Sequence, residues 1–119
     1  MEMKGEVLFS GIPTASLESA QPWYESLFGR PPDVVANDHE VMWEVREGGW
    51  LYVVEDKARA GHALVAVAVS DLGRLLDELE QRGFERPQVE IVPGAGNKAP
   101  LVDPEGNRVA LIEVKDSGS

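Results

Sequence analysis

The sequence predicts an α+β protein made of two similar modules. Each module contains one predicted strand, one helix and then three strands, and this order occurs twice in the 119 residues. Apolar residues alternate in the predicted strands and recur at helical spacing in the two predicted helices. No linker rich in glycine, proline or serine separates the modules. We therefore expect a single domain over residues 1–119, with modules at about 5–56 and 61–115.

The first module begins with a strand predicted over Glu6–Ile12, followed by a helix that ends at Gly29. Pro22 falls in the helix interior if Ser16 is the N-cap, where proline costs about 3 kcal/mol. It falls in the first turn if Ser19 is the N-cap. We therefore expect the regular helix to begin late or to bend at Pro22. The remaining strands of this module are predicted at residues 33–36, 41–46 and 50–55.

The second module repeats this plan. A strand is predicted over His62–Val69, and a leucine-rich helix follows, capped by Ser70 or Asp71 and ended by Gly83. A short strand at 89–92 precedes a final hairpin, whose turn is the segment DPEGN at 103–107. Proline fixes φ in such a turn, glycine supplies positive φ, and Asp and Asn bond the local backbone.

Composition excludes several classes of function. Twenty-one acidic residues against 11 basic residues give a net charge of −10, so nucleic acid is not an expected partner. No apolar run approaches 18 residues, and no membrane span is expected. Cysteine is absent, which removes thiolate catalysis and sulfur-based zinc sites. The first residues lack the pattern of a secretion signal, so we expect a cytoplasmic protein.

Four segments resemble the vicinal oxygen chelate superfamily, which includes glyoxalase I, extradiol dioxygenases, fosfomycin-resistance transferases and bleomycin-resistance proteins. The segments are IPTASL at 12–17, WYESLFG at 23–29, GH at 61–62 and LVDPEGNRVALIE at 101–113. The resemblance covers nearly the whole chain. It implies that the two βαβββ modules form a curved, cup-shaped mixed sheet with the helices outside. It also implies a homodimer.

The resemblance further implies that any metal ligands lie at inward positions on the first and last strands of each module. The aligned positions in this sequence are Phe9, Tyr52, Leu64 and Ala110. Metal sites need oxygen, nitrogen or sulfur ligands, and three of these side chains offer none. We therefore expect no metal and no cofactor. A displaced site stays open as an alternative, because His62 shares the predicted strand face of Leu64.

The two-residue period of strands predicts the residues that face into the cup. The predicted inward residues are Val7, Phe9, Gly11, Trp50, Tyr52, Val54, Leu64, Ala66, Ala68, Lys98, Pro100, Arg108, Ala110 and Ile112. From these we select a ligand-binding set that consists of Phe9, Trp50, Tyr52, Leu64, Lys98, Arg108 and Ala110. The aromatic rings suit a flat ligand. The positively charged side chains of Lys98 and Arg108 suit a ligand that carries an anionic or carbonyl group.

No nucleophile–base pair is evident, so we predict no catalytic residue. Glu44 and Glu113 are the candidate acids, and both are expected on the opposite strand face. The leading hypothesis is a metal-free protein of the glyoxalase/bleomycin-resistance type. It would bind an apolar or aromatic small molecule, such as an antibiotic, without converting it. The main alternative is a metal-independent lyase, isomerase or transferase that uses Tyr52 or Lys98. A metal enzyme around His62 and a structural dimer with a filled cup also stay open.

Overall fold

A computed structural model describes residues 1–114 and confirms the α+β class with two repeated modules. The elements of the first module are β1 (Leu8–Thr14), α1 (Leu17–Phe28), β2 (Val34–Asn37), β3 (Glu40–Arg46) and β4 (Gly49–Glu55). Those of the second module are β5 (Leu64–Ala68), α2 (Leu72–Gln81), β6 (Glu90–Val92), β7 (Gly96–Val102) and β8 (Arg108–Val114). The predicted end of the second module, at residue 115, lies outside the described residues.

Each module forms its own four-stranded mixed sheet. The strand orders are β1-β4-β3-β2 and β5-β8-β7-β6. In each sheet the first and last strands of the module pair in parallel, and the other pairs are antiparallel. The two sheets therefore have the same topology, as expected of an internal duplication.

The helices cover one face of each sheet. The hydrophobic core lies between the helices and the sheets. In the first module Ile12, Trp43 and Val53 are buried against α1. Trp43 is not exposed at all, and its indole N–H donates to the Arg30 carbonyl at 3.1 Å. In the second module Ala99 and Leu101 of β7 and Val109 and Leu111 of β8 belong to the core in the same way, together with Leu76 of α2. The burial of these apolar side chains stabilises the two-layer arrangement.

Of the two alternatives predicted for α1, the late start is wrong, because the helix begins at Leu17 and contains Pro22. The bend at Pro22 stays a prediction. The Oγ atom of Ser16 accepts a hydrogen bond from the Ser19 amide at 3.3 Å, which is N-cap geometry. Glu55 reaches this end of the helix from β4, and its Oε1 accepts from the Leu17 amide at 3.0 Å. Such long-range partners for the first-turn amides offset the cost of the internal proline.

The corresponding end of α2 is held in the same manner. Asp71 is the N-cap, and its Oδ1 accepts from the Arg74 amide at 3.1 Å. Glu113 of β8 accepts from the Leu72 amide at 2.9 Å. Glu113 therefore faces the helix layer, as predicted. A carboxylate at a helix N-terminus also interacts favourably with the helix dipole.

The DPEGN turn joins the second module to the first. The Tyr24 hydroxyl donates to Oδ2 of Asp103 at 2.7 Å, and Nδ2 of Asn107 donates to the Pro13 carbonyl at 2.8 Å. Oε2 of Glu105 accepts from the Ala15 amide at 2.8 Å. Because these three turn residues all reach the first module, the turn holds β1 and α1 against the second sheet.

The other sheet face is uncovered. The molecule measures 47 × 45 × 25 Å, and its thin dimension fits one layer of helices on one layer of strands. We call the sheet face that points away from the helices the open face. Phe9 and Leu64 lie on it, with 53% and 80% of their surface exposed. Neither helix within residues 1–114 has the length and apolarity needed to cross a membrane.

Candidate functional site

An aromatic surface forms on the first sheet. The parallel pairing of β1 with β4 places Phe9 beside Trp50 and Gly11 beside Tyr52. The rings of Phe9 and Trp50 are stacked, with centroids 6.2 Å apart. Residues directly opposite each other share a sheet face, so all of these positions belong to the open face. Three of the predicted ligand-binding residues are therefore neighbours.

Gly11 leaves the space that the Tyr52 ring occupies. A Cβ atom added to Gly11 would lie 2.6 Å from Cζ of Tyr52, closer than real Cβ contacts allow. Glycine in a strand often marks such a close approach. Tyr52 is half-buried on the open face, and no hydrogen bond joins its hydroxyl to another residue within 1–114.

The other four predicted residues meet on the second sheet. The register pairs Leu64 with Arg108 and Ala66 with Ala110, and Lys98 pairs with Ile112 on the neighbouring strand. These residues line a cleft of about 330 Å³, which we call the Lys98 cleft. Its volume is at the lower end of the range for small-molecule sites.

A second cleft of about 270 Å³, the Trp50 cleft, lies where the two sheets meet. Trp50 and Arg46 line one side of it, and β5 lines the other. Val65 and Ala66 line both clefts, so β5 is their common wall. The clefts therefore adjoin at β5, but the Lys98 cleft lies on the open face, whereas the Trp50 cleft is lined mainly by helix-facing positions such as Ser10, Leu51 and Val67. Phe9 and Tyr52 line neither cleft and extend the aromatic surface beside them.

Comparison with solved structures identifies the fold and the family. The glyoxalase/bleomycin resistance protein from Catenulispora acidiphila DSM 44928 is 33% identical, with a TM-score of 0.86 over 93% of this chain and 100% of that chain.

The chain belongs to the glyoxalase/bleomycin resistance protein family, within the vicinal oxygen chelate superfamily.

Two more distant structures share the fold. A bleomycin-binding protein complexed with bleomycin is 20% identical, with a TM-score of 0.72 over 94% of this chain and all of the other. TnmS3, an antibiotic-binding protein from Streptomyces sp. CB03234, is 17% identical, with a TM-score of 0.75 over 97% of this chain and all of the other. No protein-family model matches the sequence, and no curated protein matches it.

The residues of this family member do not fit the metal centre of the metal-dependent relatives. Tyr52 is the only one of the four aligned positions with an oxygen donor, beside Phe9, Leu64 and Ala110. Within residues 1–114 no group of three or more His, Asp or Glu side chains is placed to hold a metal ion. His62 is exposed ahead of β5. Nδ1 of His39 lies 2.7 Å from Oε2 of Glu55, on the helix side.

The structure corrects the predicted position of Glu44. Glu44 pairs with Trp50 across the β3–β4 hairpin and therefore lies on the open face, not opposite to it. The register shifts between Glu44 and Arg46, and a bulge of one residue exchanges the two faces of a strand. The same shift brings Arg46 to the Trp50 cleft. Sequence reasoning placed Glu44 on the wrong face and did not select Arg46, because alternation along a strand does not reveal a bulge.

Proposed function

We propose that the chain is a small-molecule-binding protein of the glyoxalase/bleomycin-resistance type that works without a metal and without converting its ligand. The observation that carries this proposal is the pair of clefts that adjoin at β5, since both are apolar over most of their lining and the stacked rings of Phe9 and Trp50 lie beside them. An apolar surface with a few polar groups suits a flat apolar or aromatic compound. Antibiotics are candidates, since fold neighbours include antibiotic-binding proteins.

Binding without conversion is supported by the side chains around the clefts. Conversion would require a general acid or base placed against a second reactive group. Tyr52 and Lys98, the two candidates for such roles, are on different sheets and form no hydrogen bond with each other among residues 1–114. The metal-dependent chemistry of the superfamily would need ligands that Phe9, Leu64 and Ala110 do not provide.

We also propose that the cup is completed by a second copy of the chain. One chain leaves Phe9 and Leu64 exposed on a broad apolar sheet face, and large uncovered apolar patches are typical of protein interfaces. Sedimentation velocity tests this proposal. Leu64→Glu is expected to give monomers. Val35→Glu, at an exposed valine that pairs with the helix-facing Val41, serves as the control and is expected to leave a dimer. A monomeric wild-type protein would contradict the proposal.

Tryptophan fluorescence tests ligand binding directly. Trp50 lies at a cleft, whereas Trp43 is buried and Trp23 packs against Phe84 on the helix side. A panel of aromatic compounds and antibiotics would be titrated with and without Mn²⁺, Zn²⁺ and Ni²⁺. We expect saturable quenching that is independent of metal and is lost in Trp50→Phe but kept in Trp23→Phe.

Two results would contradict the proposed function. Quenching that appears only with added metal would show that a metal is needed and would direct attention to His62. Turnover of a bound compound, followed by chromatography of the mixture, would favour the enzyme hypothesis. In that case Tyr52→Phe and Lys98→Met would identify which side chain takes part.

A further inference from the structure

The arginines of this chain fall into two groups. Within residues 1–114, all arginines except Arg46 and Arg108 form ion pairs with carboxylates. The paired arginines are Arg30, Arg59, Arg74, Arg82 and Arg86. Lys98 also forms no ion pair with a described residue. With 21 acidic residues against 11 basic residues, carboxylate partners are abundant in the chain.

Five lysines and arginines within residues 1–114 form no ion pair, and three of them line the two clefts. Arg46 lines the Trp50 cleft, and Lys98 and Arg108 line the Lys98 cleft. The other two, Lys4 and Lys57, are exposed, form no ion pair with a residue of the described chain and lie outside both clefts. Both clefts therefore contain positive charge without an ion-pair partner in the described chain, although the overall charge is −10.

One carboxylate lies near these cations. Glu90 lines the Lys98 cleft and pairs in register with Lys98 across the β6–β7 ladder, yet the two side chains form no ion pair. Glu44 is on the open face but lines neither cleft. Three cations against one carboxylate give the lining of the two clefts a positive balance. A surface of this sign attracts anions and repels cations.

We propose that the ligand is an anionic aromatic compound, with a carboxylate or a similar oxyanion held by Lys98 and Arg108. This inference rests on the proposed function and specifies its ligand class. The apolar body would lie against Ala66, Pro100 and Ile112, which line the same cleft. Lys98 is half-buried there, and charge-assisted hydrogen bonds are stronger where water is partly excluded. A cationic ligand would instead face the like charges of Lys98 and Arg108.

Three compounds of matched shape test the inference: 2-naphthoate, neutral 2-naphthylmethanol and cationic 2-naphthylmethylammonium. Isothermal titration calorimetry would measure the affinity of each for the wild-type protein. Hydrogen bonds to charged groups at a partly exposed site predict about tenfold tighter binding of the carboxylate than of the alcohol. The ammonium compound should bind most weakly. The preference for the carboxylate should shrink as ionic strength rises.

Single substitutions test which cationic side chains bind the carboxylate of the ligand. Lys98→Met and Arg108→Gln should each weaken 2-naphthoate binding several-fold while leaving 2-naphthylmethanol nearly unchanged. Lys57→Met removes an unpaired exposed lysine outside both clefts and is expected to change neither affinity. Circular dichroism of each variant would verify that the fold is retained.

The outcomes separate this inference from the proposed function. Equal binding of all three compounds, unaffected by Lys98→Met and Arg108→Gln, would overturn the anionic ligand class but support aromatic binding. Tightest binding of the ammonium compound would also overturn it. Binding of none of the three would count against both proposals.

Discussion

The Tyr24 hydroxyl donates a 2.7 Å hydrogen bond to Oδ2 of Asp103, between residues 79 positions apart in sequence. Asp103 is buried and has no cationic partner among residues 1–114, and its carboxylate accepts from the amides of Glu105 and Asn107 and from Nδ2 of Asn107 as well. A buried carboxylate is tolerated when hydrogen-bond donors satisfy both of its oxygen atoms in this way. The bond links α1 of the first module to the final hairpin of the second.

Removing the Tyr24 hydroxyl should weaken the contact between the two modules. Tyr24→Phe is expected to lower the free energy of unfolding by about 1–3 kcal/mol, because Oδ2 of Asp103 loses a partner that buried water cannot readily replace. Urea denaturation measures the change. Tyr52→Phe is the matched control, since its hydroxyl contacts no described hydrogen-bond partner, and it should change stability by less than about 0.5 kcal/mol. Equal effects of the two variants would contradict this role of Asp103.

The ionisation of Tyr24 should lower the stability of the folded protein at alkaline pH. Burial, followed by the hydrogen bond to Asp103, raises the pKa of the Tyr24 phenol well above its ordinary value of 10.0. A raised folded pKa contributes stability that is complete below about pH 10 and is lost as pH rises further, because the unfolded chain then ionises more readily. The melting temperature should therefore fall less steeply above pH 10 in Tyr24→Phe than in the wild type. Parallel profiles would contradict the prediction.

The protonation of Glu55 should lower the stability of the folded protein at acid pH. Hydrogen bonds from the Leu17 amide and then from His39 hold the pKa of Glu55 below its ordinary value of 4.5. A lowered folded pKa contributes stability above about pH 4.5 that is lost as pH falls through the folded pKa. Glu55→Gln should therefore lower the melting temperature at pH 7 and have little effect near pH 2. Glu47→Gln, at an exposed turn position, should have little effect at either pH. An unchanged melting temperature for Glu55→Gln at pH 7 would refute this account.

Gly61 is expected to be essential for the position of the DPEGN turn. It has a φ of +86°, and an added Cβ would lie 2.6 Å from the carbonyl oxygen of Glu105. Gly61→Ala should cost more than about 2 kcal/mol of stability, since both backbone strain and a clash with the turn are introduced. Gly83→Ala is the control, because its φ is +97° but no atom lies within 4 Å of the added Cβ. We expect it to cost about 1 kcal/mol, and a larger loss than in Gly61→Ala would contradict the clash.

Much of the fold followed from local patterns. Alternating apolar residues predicted the strands to within two residues at most ends, and the turn residues of DPEGN predicted the last hairpin. Gly29 and Gly83 mark the helix ends because both have positive φ, which glycine adopts without strain. The inward positions on β4, β5, β7 and β8 also followed, because a strand turns each residue to the face opposite its neighbour.

The sequence by itself therefore determined the two βαβββ modules and most residues of the open face. Only the tertiary structure decided on which sheet face Glu44 lies, that α1 begins at Leu17, and that Tyr24 forms a hydrogen bond with Asp103. It also decided which arginines are paired. The physical reason is that strand register, helix-end partners and ion pairs depend on residues that are distant in sequence, whereas alternation and turn chemistry are local.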